Sequence, residues 1–413
     1  MVVCGAHLRL CGGRMLSRRW LCKRQTPAPQ PQHISDPALS ELCHRFPAIL
    51  SRRTSRAEDL FHVHSAALGW RSLPRWSVAG LVVSSQESSG RASVKLKWLL
   101  VLTDSGQRPS FIDLLAEQLA EWPGGCPPMV LEANAGPGLL SRRLLERDHL
   151  PAGTRIRLFE HRSHFLAELK AQVEAWPGRL ELVQANLLHM HNHEEQLLEG
   201  IPARPWTEEP AAVLVASLSR SREVGFLRYL LHQLPMGTSL FMLGRLPLLV
   251  FMSHTEASHI TAGRESNFKH YRDISILYQL FFDIKMCGEV SRDLFLPPRG
   301  AKQQSPLQLM RLMPRRDLWE LVDGTDRLHE LVFFVRQNMV RRTAYVLPCL
   351  EKWIPGCGPQ LLRAGATRVF ERTGDLSPER MLYLFHLFSA LPEYPQSAFT
   401  AAAVAARESP IHS

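Results

Sequence analysis

Five residues carry the chain's densest concentration of usable chemistry: Glu132, Gly136, Gly138, Glu160 and Asn186. The apolar run Met129-Val130-Leu131 closes on Glu132, Gly136-Pro137-Gly138 follows, and an apolar-periodic segment begins at Leu139. This reads as a strand, a tight turn and a helix start. Glycine permits such a turn and lets a ligand approach the backbone. The first helical N–H groups then point at whatever lies above the strand end, which in an open α/β sheet is the ligand crevice. Glu160 ends the next strand, where a carboxylate can accept hydrogen bonds from ribose hydroxyls. Asn186 follows the third, where an amide can pair with an adenine edge. The dinucleotide fingerprint G-x-G-x-x-G fails because Ser141 takes the third glycine position, and no G-K-[ST] completes a P-loop. What remains is E-x-x-x-G-x-G, typical of S-adenosylmethionine sites. The plainer alternative is a structural turn with Glu160 as a solvated strand end.

The elements that position these residues alternate. Strands are expected at Met129–Glu132, Arg155–Glu160, Leu180–Asn186, Ala211–Ala216, Ser239–Leu243, Leu248–Met252, Asp283–Val290 and Leu307–Met313. Helices are expected at Leu139–Arg147, Ser163–Trp176, Arg222–Leu234 and Tyr271–Phe282, with one before the first strand, from Asp104 or Ser110 to Leu119. Strands alternating with helical periodicity imply a mostly parallel sheet. After Pro314 only helical patterns remain: Leu318–Val322, Thr325–Val340, Thr343–Leu350, Pro359–Ala364 and Ser377–Leu391. The expected organisation is a leader and linker over 1–35 and an N-terminal extension without a legible pattern over 36–94. An α/β domain over 95–314, a helical domain over 315–393 and a frayed, flexible tail over 394–413 follow.

Of 413 residues, 49 are Lys or Arg and 39 Asp or Glu, a net charge of +10 that favours a polyanionic partner. The eight cysteines include no C-x-x-C pair, which argues against structural zinc and a disulfide framework. His189, His191 and His193 alternate in a loop without a partner cluster and read as solvated rather than metal-binding. No apolar run is long enough to span a membrane. Residues 1–35 contain six Lys or Arg (Arg9, Arg14, Arg18, Arg19, Lys23, Arg24) and no acid before Asp36, the pattern of a mitochondrial transit peptide.

The stretch Leu131-Glu132-Ala133-Asn134-Ala135-Gly136-Pro137-Gly138 resembles the first motif of the ribosomal RNA adenine-N6 dimethyltransferases. It is most similar to their mitochondrial offshoot, the transcription factor B proteins of the second-paralogue group, which also carry Asn in place of the first glycine. Leu102-Thr103-Asp104 resembles the family's cofactor-gating V-T-D, and Phe333-Phe334, Arg341-Arg342 and the helical tail continue the likeness over roughly residues 95–390. The resemblance implies a Rossmann-like class I S-adenosylmethionine methyltransferase sheet with a C-terminal helical domain. It implies S-adenosyl-L-methionine held by Leu102, Glu132, Asn134, Gly136, Gly138, Glu160 and Asn186, and nucleic acid touched by Arg341, Arg342 and Arg336. Active members carry N-[LIV]-P-[YF] after the fourth strand, whose amide and carbonyl hold the target amine and whose ring stacks on the flipped base. Here Val213–Arg222 contains no Asn, Pro or aromatic residue, so no catalytic residue is assigned and methylation is expected to be weak or lost.

The leading expectation is a mitochondrial transcription initiation factor of the matrix nucleoid. It would bind the mitochondrial RNA polymerase and hold melted promoter DNA in a basic groove lined by Arg220, Arg222, Arg315, Arg316, Arg336, Arg341 and Arg342. The alternatives are a dimethyltransferase of small-subunit rRNA and a non-catalytic RNA-binding ribosome-assembly factor. Trp206, Trp353 and Tyr383 can stack on bases but are more ordinarily core or cover residues.

Overall fold

The computed structural model describes residues 83–86, 93–96, 99–100, 111–122, 126–188, 194–218, 220–291, 295–296, 305–322 and 324–408. The cationic leader, Leu102-Thr103-Asp104 and the histidines His189, His191 and His193 lie outside these residues. Strands β1 (Val83–Gln86) and β2 (Ser93–Leu96) pair antiparallel, and β3 (Leu99–Leu100) pairs with β10 (Phe295–Leu296).

The main sheet has seven strands: β4 (Met129–Ala133), β5 (Arg155–Phe159), β6 (Leu180–Val183), β7 (Ala212–Ser217), β8 (Leu248–Ser253), β9 (Phe282–Val290) and β11 (Leu307–Pro314). Their order is β6-β5-β4-β7-β8-β11-β9. The first five run parallel, and β11 is antiparallel to both neighbours. This is the Rossmann-like sheet expected from the sequence, with its strand order reversing beside β4. The central strands are apolar because helices cover both faces. Met129, Leu131 and Ala133 enter one core with Ala212, Leu214 and Ala216, while Val130 enters the other with Val213 and Val215. The first core continues without a break into the C-terminal helices through Leu331, Phe334, Phe385 and Phe399. The second takes α1 (Phe111–Ala120), α2 (Leu139–Glu146) and α3 (Ser163–Ala175). The remaining helices are α4 (Glu194–Leu197), α5 (Arg220–Met236), α6 (His254–Thr261), α7 (Asp273–Phe281), α8 (Thr325–Met339), α9 (Val346–Glu351), α10 (Cys357–Arg363), α11 (Pro378–Ser389) and α12 (Ala398–Glu408).

Three expectations are corrected and one helix is added. Ser239–Leu243 is a 3-10 helix, not a strand. A short buried apolar run fits either state, and Gly237 and Ser239, both at positive φ, turn the chain into it. Gly244 then lets the chain press onto the Arg204 carbonyl oxygen, with which a Cβ would clash. The third strand ends at Val183, so Asn186 lies in the following loop. Helix α6 had no expected counterpart, although Ser253 caps it by accepting the Glu256 N–H at 3.3 Å. The tail expected to fray forms α12, because its alanines favour helix and Phe399 is fully buried against Phe333, Phe334, Trp353 and Phe388. No described helix is long and apolar enough to cross a membrane.

Candidate functional site

The crevice opens at the carboxyl ends of β4 and β7, the point where strand order reverses. It has a volume of about 330 Å³, open mouth included, and is lined by Glu132 to Ala135, Leu140, Val215 to Ser217 and Phe251. Open α/β sheets bind ligands at such points.

Strand alternation turns Glu132 to the same side as Val130, toward α2, where the buried Ser141 hydroxyl donates to its carboxylate. Loss of hydration pushes the Glu132 carboxyl up to about 7; the Ser141 hydrogen bond opposes the rise and the Glu160 charge adds to it. Ser141 thus has a positive role at the position where the dinucleotide fingerprint would want glycine. Its pairing was legible only from the facing sides of strand and helix.

Asn134 holds the first left-handed position of the turn, at φ 56°, followed by Gly136 at 59° and Gly138 at 69°. Asparagine tolerates this conformation better than other side chains. Its Oδ1 is buried at the crevice without a protein partner, so it is free to accept from a ligand. Gly138 serves packing instead: a Cβ there would come within 2.6 Å of Gln172 Oε1 and 2.7 Å of Leu169 Cδ2 on α3. The Gln172 amide also donates to the Pro137 carbonyl at 2.7 Å.

Glu160 is fully buried and engaged by backbone. Gly136 N–H donates to Oε2 at 2.8 Å, while His161 and Arg162 N–H groups donate to Oε1 at 2.9 Å each. The carboxylate therefore ties the glycine turn to the start of α3. Asn186 Oδ1 accepts the Leu188 N–H at 3.2 Å and does not line the crevice. The crevice offers the Asn134 Oδ1 and the backbone of the turn as groups that suit an adenosyl-methionine ligand, while Glu160 is held by three backbone N–H groups. Leu102 lies outside the described residues.

At the end of β7, Ser217 lines the crevice and Leu218 is buried. Arg220 and Arg222 fall in the first turn of α5. The candidate nucleic-acid residues separate. Arg341 is exposed just beyond α8. Arg342 is bound into the fold, donating to the carbonyls of Phe268 and of Tyr271 (3.0 Å) with its guanidinium over the Phe268 ring. Arg336 is largely covered, its Nε unpaired, and burial lowers its pKa, partly offset by the Asp273 charge. Arg315 forms a two-point pair with Asp317 at 2.9 and 2.6 Å, and Arg316 donates to the Thr207 carbonyl. Trp206 donates to the Arg315 carbonyl at 2.9 Å, and Trp353 packs on Phe333 and Phe399 as a cover residue. Tyr383 stays exposed, at hydrogen-bond reach of the Ala364 carbonyl (3.5 Å). Among the described residues no His/Cys/Asp/Glu group could hold a metal.

A mixed, mainly parallel sheet with this order, a glycine turn after β4 and a crevice at the β4–β7 reversal defines a Rossmann-like methyltransferase fold. The ribosomal RNA adenine dimethylase family matches residues 128–363, more than half of the chain, and the chain belongs to that family. The chain is 29% identical to "Dimethyladenosine transferase 2, mitochondrial" of Drosophila melanogaster over 337 residues, covering 67% of this chain and 73% of that protein. The Bos taurus protein of the same name is 28% identical over 283 residues, covering 62% and 70%. A crystal structure of a Plasmodium falciparum dimethyladenosine transferase aligns at 16% identity with a TM-score of 0.48, covering 69% of this chain and 95% of that one.

Proposed function

We propose that this chain is a mitochondrial transcription initiation factor built on the rRNA adenine dimethylase fold, binding the mitochondrial RNA polymerase and melted promoter DNA. The observation that carries the reading is the end of β7. Ser217 lines the crevice, and the sequence that continues from it, Leu218-Ser219-Arg220, supplies no amide to hold an exocyclic amine and no ring to stack on a flipped base. The fold is kept while the groups that would orient a target base are missing, and the exposed Arg341 together with the +10 charge supplies attraction to a phosphate backbone. The mitochondrial setting rests on the acid-free leader and on relatives whose names place them there. The α/β and helical domains of this reading divide near Pro314.

A second reading, an S-adenosylmethionine-dependent dimethyltransferase of small-subunit rRNA, is favoured by the unpartnered Asn134 Oδ1 in the crevice. When bound, the cofactor would supply an electrophilic methyl group. Asn134 would accept a hydrogen bond from it, and Glu132 would balance its positive charge. Run-off transcription from a duplex mitochondrial promoter, with polymerase alone and with this chain added, tests the first reading: initiation should depend on the chain. Labelled methyl transfer to small-subunit rRNA tests the second, and efficient dimethylation would displace the first reading from its lead.

A further inference from the structure

Beside Arg341 the fold leaves three aromatic rings in solvent. Phe370 is 77% exposed, Tyr345 42% and Phe268 41%, with Val340 and Val369 also open. They come from three segments, and backbone bonds join the two that carry Tyr345 and Phe370. Val346 N–H donates to the Glu371 carbonyl at 2.9 Å, Thr373 N–H to Ala344 at 2.9 Å and Gly374 N–H to Arg342 at 2.8 Å. Tyr345 and Arg372 form a β-bridge, and the Tyr345 and Phe370 rings meet edge-on at 6.0 Å. Phe268 joins them from the other side: the Arg342 guanidinium stands 4.6 Å from its ring centre, and a Cβ at Gly374 would meet it at 3.1 Å.

Exposed single apolar residues are ordinary, but a contiguous group marks an interaction site. The charges around this group decide its partner. Arg341, Arg368, Arg372, Lys269 and Arg272 are all exposed and adjoin the rings or the bridge in sequence. The nearby Glu371 carboxylate is engaged by the Thr367 hydroxyl (2.9 Å), the Arg368 N–H (3.1 Å) and the Arg380 guanidinium (3.3 Å). Protein interfaces deplete charge from their apolar centre, whereas here cations are interleaved with every ring. That is the composition of a surface that stacks bases and tracks phosphates.

We infer that Phe268, Tyr345 and Phe370 form a stacking platform for unpaired bases of single-stranded nucleic acid, with Arg341, Arg368 and Arg372 along its phosphates. This rests on the nucleic-acid reading above and assigns its base contact to this face rather than to the β4–β7 crevice. The test uses the full chain, fluorescence anisotropy, and two labelled probes of equal length and charge: an oligothymidylate and its abasic counterpart. The wild type should prefer the probe with bases. The double variant Tyr345→Ala/Phe370→Ala should lose about tenfold to a hundredfold in affinity for oligothymidylate. It should bind the abasic probe as the wild type does and keep its salt dependence. Tyr345→Phe/Phe370→Trp, which keeps both rings, should bind like the wild type. Unchanged oligothymidylate affinity in the alanine variant overturns the platform. So does an alanine variant that keeps the single strand but loses the polymerase, which would make this face a protein contact. A wild type that binds neither probe removes the nucleic-acid reading and the platform with it.

Discussion

Glu132→Gln isolates the crevice carboxyl. Its ordinary value of 4.5 rises to about 7 in the fold, chiefly because burial strips its hydration. Between those values the folded chain holds more protons than the unfolded one, so the Glu132 contribution to stability falls as pH rises through the window. At 1.36 kcal/mol per unit the shift sets a ceiling of about 3 kcal/mol, and relaxation around a buried carboxylate brings the expected figure to about 1–3 kcal/mol. Gln cannot ionise, and its amide oxygen can still accept the Ser141 hydroxyl. Urea unfolding of both chains should therefore give similar stabilities near pH ~4 and a Gln variant more stable by about 1–3 kcal/mol near pH ~8. Other titrating groups are common to both chains and cancel in the difference. A gap of equal size at both pH values would mean that Glu132 titrates as a hydrated acid, and the burial argument would fail.

Gly138→Ala combines a left-handed position with a Cβ placed 2.6 Å from Gln172 Oε1. It should cost about 2–4 kcal/mol, read as a lower urea midpoint with an unchanged slope. His329, 7% exposed and edge-on to His232 at 6.2 Å, is pushed down to about 4, first by burial and then by the His232 charge. The unfolded chain binds that proton near 6.5, so stability should fall as pH drops from 6.5 toward 4, by at most about 3 kcal/mol, and His329→Gln should flatten this acid limb. Arg341→Ala should reduce the salt slope of single-strand binding by about 0.7 without moving the melting temperature. Arg342→Ala should lower the melting temperature, because its guanidinium holds the Phe268 and Tyr271 carbonyls; equal melting temperatures for the two variants would contradict that division.

The sheet was legible because its strands are short, mostly apolar runs, β7 and β8 nearly without interruption, and several close near a polar residue or a glycine turn. Glu132, Gly136 and Gly138 fell where strand, turn and helix predicted. The partners of those residues were hidden. Ser141 reads as a broken motif until strand alternation turns Glu132 toward α2. Glu160 reads as a ribose acid in the sequence, which does not show that the fold also brings the Gly136 N–H to it across the turn. Arg341 and Arg342 look equivalent in a chain, and only the loop carrying Phe268 and Tyr271 distinguishes a free cation from a structural one. The Phe268–Tyr345–Phe370 face assembles segments far apart in sequence, so no local pattern announces it. Ala398–Glu408 looked like a tail because small residues carry no periodic signal, although Phe399 anchors it. The Ser253-His254-Thr255-Glu256 capping pattern, by contrast, was available and would have placed α6.

Run-off transcription with the mitochondrial RNA polymerase on two templates, a closed promoter duplex and the same promoter pre-melted at the start site, separates melting from every other role. An initiation factor that holds the opened strand should be required on the closed duplex and largely dispensable on the bubble. Equal transcript yields with and without this chain on both templates would contradict the initiation reading and leave methyl transfer to rRNA as the function to pursue.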